Sequence, residues 1–327
     1  MSGTMRTVDF HCDVLSKMWE DPKASFVDGP HLDVTMQRLE HGDLALQVFA
    51  VFLSEKFGRP SFERVLAQLD VFRSRIVNAG HLKPLLWREQ VREMRQRKTE
   101  RYGVLSLEGV DGLEGNLYYV QLLFDMGVRL MGVTWNYANW AADGVLEQRN
   151  GGFTERGRQL IEQCHRTGII LDVSHLSQAG FWELAELTQR PVIASHSNAY
   201  SICPHPRNLS DEQIRALIAL NGMIGITFVP WFIRSGVQRV TPEDVLPHIE
   251  KICELGGEKH IMFGSDFDGI DQWIEGLEHP GRYPDFQELL LKFYPESTVK
   301  GWMSDNPLRF LEQHLPASPV QEDEHDA

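Results

Sequence analysis

The sequence predicts an α/β protein built as a (β/α)8 TIM barrel, and three observations carry that expectation. Strand-like and helix-like segments alternate from residue 7 to residue 264, each strand followed by a helix or a helix-bearing loop, as parallel strands with crossover helices require. Polar, chemistry-bearing residues cap many different strands, not only the pair flanking one switch point. No glycine-rich phosphate fingerprint follows the first strand, which counts against a doubly wound open sheet.

The first strand, residues 7–10, begins almost at the first Met and runs into His11, Cys12 and Asp13. Successive strand side chains point to opposite faces, so His11 and Asp13 share a side and Cys12 points away. Residues 19–43 are polar and turn-rich, with a short helical piece at 36–40. Residues 45–53, ALQVFAVFL, are almost wholly apolar, as in a strand covered on both faces. Val65, Leu66, Leu69, Phe72 and Ile76 then recur at helical spacing within 62–79, and Gly80 supplies a stop. In residues 88–101 basic side chains alternate with Glu89, Glu93 and Glu100, the pattern of a solvated helix face.

Strands at 102–107, 128–134, 169–173, 192–194, 223–229 and 261–264 bring the total to eight. The helices between them are expected at 117–126, 154–167 with Gly168 behind it, 177–187 with Ser177 as N-cap, 210–220 and 242–255. Residues 292–315 read as closing helices, so 1–316 is expected to be a single barrel domain. Residues 317–327, with Glu322, Asp323, Glu324 and Asp326, read as an acidic disordered tail. No linker divides the chain. Residues 139–152 read instead as a long functional loop after strand four.

Composition narrows the function. A hydrophobic fraction of 42% and a charged fraction of 24% suit a globular protein with an ample core. A formal net charge of -14 argues against a nucleic-acid partner, which would need a basic face. Cys12, Cys164, Cys203 and Cys253 are scattered and read as reduced thiols. No apolar leader precedes strand one and no run approaches the ~18 apolar residues of a membrane span, so a soluble cytoplasmic protein is expected.

The strand ends carry the chemistry. Strand one offers His11 and Asp13, strand three Glu108, strand five His175, strand six His196 and strand eight Asp266. Each alone has an ordinary explanation; Glu108, for one, could begin the turn made by Gly109, Asp111 and Gly112. Six imidazoles and carboxylates on one rim are the composition of a metal-dependent hydrolase of the barrel type. One catalytic zinc takes three protein ligands, whereas His11, Asp13, Glu108, His175 and His196 are five. If Glu108 bridges, each of two ions has three ligands and a water is shared between them, leaving Asp266 to handle its proton. Two Zn2+ per chain are therefore expected, and the same ligand types also suit Mn2+ or Co2+.

The segments DFHCD, SLEGVDGLEGN, LDVSH, PVIASHSNAYSICPHPRN and FGSDFDG, in this order, resemble the metal and substrate motifs of the membrane dipeptidase (renal dipeptidase, peptidase M19) family. The resemblance covers most of the chain and implies a metal-dependent dipeptidase: His11 and Asp13 on one zinc, Glu108 bridging, His175 and His196 on the other, and Asp266 assisting proton transfer. It implies that Arg207 holds the substrate carboxylate, a task that suits a planar guanidinium. It further implies a small dipeptide substrate, tolerance of a D-residue on its C-terminal side, and a homodimer. One departure is Trp135, where relatives such as the renal enzyme carry a histidine. The second metal could then stabilise the oxyanion alone, with Asn136 a candidate helper. Trp135 stands as a candidate substrate contact, with plain rim packing, shared with Tyr137 and Trp140, as the alternative. The pocket walls are expected from 57–61, 136–152 and 231–240. The rival reading is a same-fold metallohydrolase acting on another amide, lactam or ester; further off stands a non-catalytic relative.

Overall fold

Eight parallel strands close into a ring in the computed structural model, which describes residues 5–97, 99–236 and 239–319. They are β1 (Thr7–Asp9), β2 (Leu44–Phe52), β3 (Tyr102–Glu108), β4 (Val128–Gly132), β5 (Ile170–Asp172), β6 (Ile193–Ala194), β7 (Met223–Ile226) and β8 (Ile261–Phe263). Each pairs in parallel with its neighbours in sequence, and β1 closes the ring by pairing with β8 at Asp9 and Phe263. Phe52 lies level with Glu108, Glu108 with Gly132, Gly132 with Asp172, and Asp172 with Ile193. That shared level is the rim, and the chain leaves it upward into the long loops.

Packing follows the alternation of the strands. Val8, Leu46, Val48, Val104, Leu130, Ile170, Ile193, Met223 and Met262 belong to one buried cluster fed by every strand, the filled interior of the barrel. The other parity, including Phe49, Val51, Leu105, Leu107, Met131, Leu171, Ile224 and Phe263, packs outward beneath the helices. An apolar sequence such as 45–53 is thus buried on both faces for two different reasons.

The helices start where a hydroxyl can answer their first N–H groups. Ser61, Thr154, Ser177 and Ser210 accept from the backbone N–H three residues on, opening Phe62–Asp70, Glu155–Thr167, Gln178–Leu187 and Asp211–Ala219. Gly168 ends its helix at φ 87°, a left-handed turn that a Cβ would strain. The basic stretch folds as the helix Arg88–Gln96, burying Val91 and Met94 while Arg92 reaches Glu312 at 2.7 Å on the surface.

Three details differ from the sequence expectation. A two-residue strand, Lys83–Pro84, adds to the edge of β3 at Tyr102 and Gly103, too short to leave a periodic signal. The expected helix 62–79 is α-helical only to Asp70 and continues as a π-helix, Val71–Val77. The strands expected at 128–134, 169–173 and 223–229 stop earlier; just past β5 and β7 side chains take the backbone N–H groups, Asp172 that of Ser174 and Asn198 that of Thr227. The tail expected at 317–327 lies outside the described residues from 320 onward.

Candidate active site

Two aspartates make the rim. Asp9, the last residue of β1, accepts from the backbone N–H of His11 at 3.1 Å and of Ser265 at 3.0 Å, and from the Tyr283 hydroxyl at 2.9 Å. Asp172, the last residue of β5, does the same with Ser174 and Ser195, each at 2.9 Å, and takes a short hydrogen bond from the Ser195 hydroxyl. In each case one carboxylate ends its strand, fixes the turn two residues on, and ties in a second strand end. His11 and the segment leading to His175 and His196 are positioned by these clamps. Motif reading overlooked both; an Asp two residues before His11 and three before His175 was the available signal.

The six expected residues do converge. Nε2 of His11 is 3.3 Å from Asp13, 3.6 Å from Oε2 of Glu108 and 3.7 Å from Asp266. Oε1 of Glu108 is 2.8 Å from Nε2 of His175 and 3.6 Å from Nε2 of His196, and these two nitrogens are 2.9 Å apart. Asp13 opens the helix Val14–Glu20 without capping it, so its carboxylate is left for the site, while Cys12 packs away into the core. His175 and Asp266 both sit at φ 69°, a left-handed backbone that costs a non-glycine residue about 1–2 kcal/mol. Strain of this kind persists only where surrounding contacts over-determine it.

Around this cluster lies a mouth of about 450 Å³. Arg207, Trp135, Asn136, Phe232 and Ile270 line it, with Lys17 and Lys56 at its edge. Trp135 packs on Phe52 and against His175, at ring separations of 5.2 and 6.2 Å. Of the expected walls, residues 57–61 lie outside the lining; the end of β2 contributes Phe52 and the segment after it Ser54 and Lys56. Asp268, also at left-handed φ, accepts from the backbone N–H groups of Asp33 and Val34 at 2.8 Å each and pairs with Lys17 at 3.1 Å. It ties the long β1 loop to the rim.

The donor set fits divalent cations. His11 Nε2 and Asp13 Oδ1 are buried without a hydrogen-bond partner in the protein, as is Arg207 Nε. The ligand atoms of His11, Asp13 and Asp266 lie within 4.8 Å of one another, as do those of His11, Glu108 and His196. Two carboxylates at that separation repel by about 3–4 kcal/mol at an effective dielectric of ~20. Burial, with the charges of Asp13 and Asp266, pushes Glu108 up to about 8; burial and Asp13 push Asp266 up to about 7. Burial opposes the charged form of His11, but Glu108, Asp13 and Asp266 outweigh it and raise its pKa to about 10. Burial, with the positive charges of Arg207 and His11, holds His175 and His196 well below the usual imidazole value. Neutral His175 and His196 facing crowded carboxylates form a site that cations would relieve.

A (β/α)8 barrel with such a cluster at the C-terminal mouth of its strands defines a metal-dependent hydrolase. Residues 1–323 match the model of the membrane dipeptidase family, peptidase family M19. The chain belongs to that family, whose members are metal-dependent hydrolases of peptide bonds.

A Klebsiella pneumoniae protein known as an uncharacterized protein in the pqqA 5' region is 35% identical over 213 residues, 62% of this chain and 78% of that one. Dipeptidase aclJ of Aspergillus oryzae is 33% identical over 212 residues, 64% of this chain but 50% of its own length. The chain thus spans about half the length of that fungal relative. Among solved structures, dipeptidase AC, a metallopeptidase of family M19, superposes with a TM-score of 0.88 at 25% identity, covering 95% of this chain and 99% of the other. A Rhodobacter sphaeroides metallopeptidase, solved with a phosphinate mimic of the dipeptide L-Ala-D-Ala, gives 0.87 at 24% identity over 95% and 99%. Among the described residues no helix is long and apolar enough to cross a membrane.

Proposed function

We propose that this chain is a binuclear dipeptidase, with one ion held by His11, Asp13 and Glu108 and a second by Glu108, His175 and His196. The observation that carries the reading is the orientation of Glu108: Oε2 faces His11 while Oε1 faces His175 and His196. When bound, ions such as Zn2+ supply Lewis-acid polarisation of the amide carbonyl and lower the pKa of a coordinated water toward 7.

The protein's own groups do the rest. Asp266, with a carboxyl pushed up to about 7, can take a proton from the attacking water and return it to the departing amine near neutral pH. Arg207 is fully buried beside the mouth, donates Nη2 to the carbonyl of His196 at 3.2 Å, and keeps Nε for a ligand. Gripping the C-terminal carboxylate there places the single peptide bond of a dipeptide over the cluster. Trp135 and Phe52 wall the site toward β2 and β4. The proposal covers L-D as well as L-L dipeptides, as the family resemblance implies.

The test is elemental analysis of the protein reconstituted with excess zinc, paired with hydrolysis of L-L and L-D dipeptides before and after chelation. Two ions per chain and chelator-sensitive cleavage are expected. One ion or fewer would overturn the bridging role of Glu108; two ions without dipeptide cleavage would move the function to another amide, lactam or ester.

A further inference from the structure

The mouth contains one imidazole that none of these steps uses. His205 lies half buried in its wall, on the 203–208 loop that follows β6. Its Nδ1 accepts the backbone N–H of Arg207 at 3.2 Å, so the neutral ring carries its proton on Nε2. Burial and the neighbouring Arg207 charge keep the ring below the usual imidazole pKa, which makes the neutral form the resting one at pH 7.

Position matters as much as protonation. The His205 ring packs on Phe232 at 4.3 Å, and Cζ of Arg207 lies 5.5 Å from the centre of the same Phe232 ring. Both donors therefore lie against the same aromatic ring. The loop that carries them is rigidly tied: His205 donates its backbone N–H to Cys203 at 2.7 Å, and the Asn208 amide donates to Cys203 at 2.9 Å and to Phe232 at 2.7 Å. A carboxylate has about four lone-pair sites on two oxygens, more than the free edge of one guanidinium fills.

We propose that Nε2–H of His205 is the second donor of the carboxylate subsite, so that Arg207 and His205 together hold the C-terminal carboxylate of a dipeptide. This rests on the dipeptidase reading above and deepens it. A cationic donor paired with a neutral one selects a free carboxylate over an amide or ester, and so excludes chains that continue past the second residue.

The experiment compares a dipeptide with its C-terminal amide on zinc-reconstituted wild type, His205→Ala, His205→Phe and His205→Gln. Where the amide turns over slowly, its binding is read as competitive inhibition. His205→Ala and His205→Phe are expected to lower kcat/KM for the dipeptide about tenfold, through KM, and to leave the amide unchanged. His205→Gln, which keeps an N–H donor, should recover part of the loss. The Phe variant retains a ring against Phe232, so it separates the lost donor from lost packing. An equal loss on both compounds, or a loss carried by kcat, overturns the assignment. Wild type that cleaves no dipeptide removes the dipeptidase reading and this subsite with it; a working dipeptidase indifferent to His205 removes only the subsite.

Discussion

The side-chain oxygen of Asn136 accepts a 2.8 Å hydrogen bond from Nδ1 of His175. An amide oxygen can only accept, so the imidazole proton is fixed on Nδ1 and the Nε2 lone pair is turned toward Glu108 and His196. Sequence reading offered Asn136 as a helper for the oxyanion; its contact in the structure is with a predicted metal ligand.

From that contact, Asn136→Ala should weaken the ion assigned to His175 and His196 by about 10–100-fold and leave the other nearly unaltered. Stepwise removal of metal by a calibrated chelator reads the two affinities separately. Equal affinities before and after the substitution would show that Asn136 does not orient His175.

His196 has its own backing. Its Nδ1 is 2.7 Å from the Ser195 hydroxyl, which donates in turn to the buried Asp172. Ser195→Ala breaks this relay and removes a donor from a buried carboxylate, a loss of about 1–3 kcal/mol. Lower metal affinity and a lower unfolding midpoint in the metal-free protein are both expected. Ser195→Thr keeps the hydroxyl and should restore most of each; a normal midpoint for Ser195→Ala would mean that Asp172 is satisfied by its two backbone donors alone.

Titration gives the metal-free protein a distinctive profile. Glu108 and Asp266 have folded pKa values raised to about 8 and about 7, so the native state binds protons that the unfolded state has released. Their contribution is present at low pH and is lost as pH rises through those values. His175 and His196 are depressed in the folded state, so they favour folding as pH rises toward the ordinary imidazole value of 6.5 and add nothing above it. Between about pH 6.5 and 8 nothing opposes the carboxyls, and His11, raised to about 10 by Glu108, Asp13 and Asp266, loses stability in the same direction. The unfolding midpoint of chelated protein should fall across that window, and the stabilisation given by added zinc should widen. A midpoint flat from pH 6.5 to 8 would remove the like-charge crowding from the account.

Much of this was legible in the chain because it depends on period and composition. His11, Asp13, Glu108, His175, His196 and Asp266 could be placed together from strand ends alone, since a parallel barrel brings every C-terminal end to one rim. Asp9 and Asp172 were not legible: a carboxylate that accepts backbone N–H groups leaves no mark distinct from an ordinary strand-end residue until the turn is seen. The bond from Asn136 to His175 crosses between two loops 39 residues apart, which no local pattern encodes. Lys83–Pro84 exists only because β3 offers it an edge at Tyr102 and Gly103.

Asp266 is where two roles compete. Its Oδ1 lies 3.7 Å from Nε2 of His11, and its carboxylate groups with Asp13 and His11 closely enough to serve as a further ligand. Its raised pKa and partial exposure suit a group that exchanges protons with substrate and water instead. Asp266→Asn separates the two, because an amide keeps the shape and cannot carry the proton. As a proton carrier, the variant should retain both ions, keep KM near wild type and lose about 10²–10⁴-fold in kcat. As a ligand, it should lose the ion held with His11 and Asp13, and excess zinc should restore part of its activity. Elemental analysis beside the kinetics decides, since only the first role predicts full metal content with little turnover.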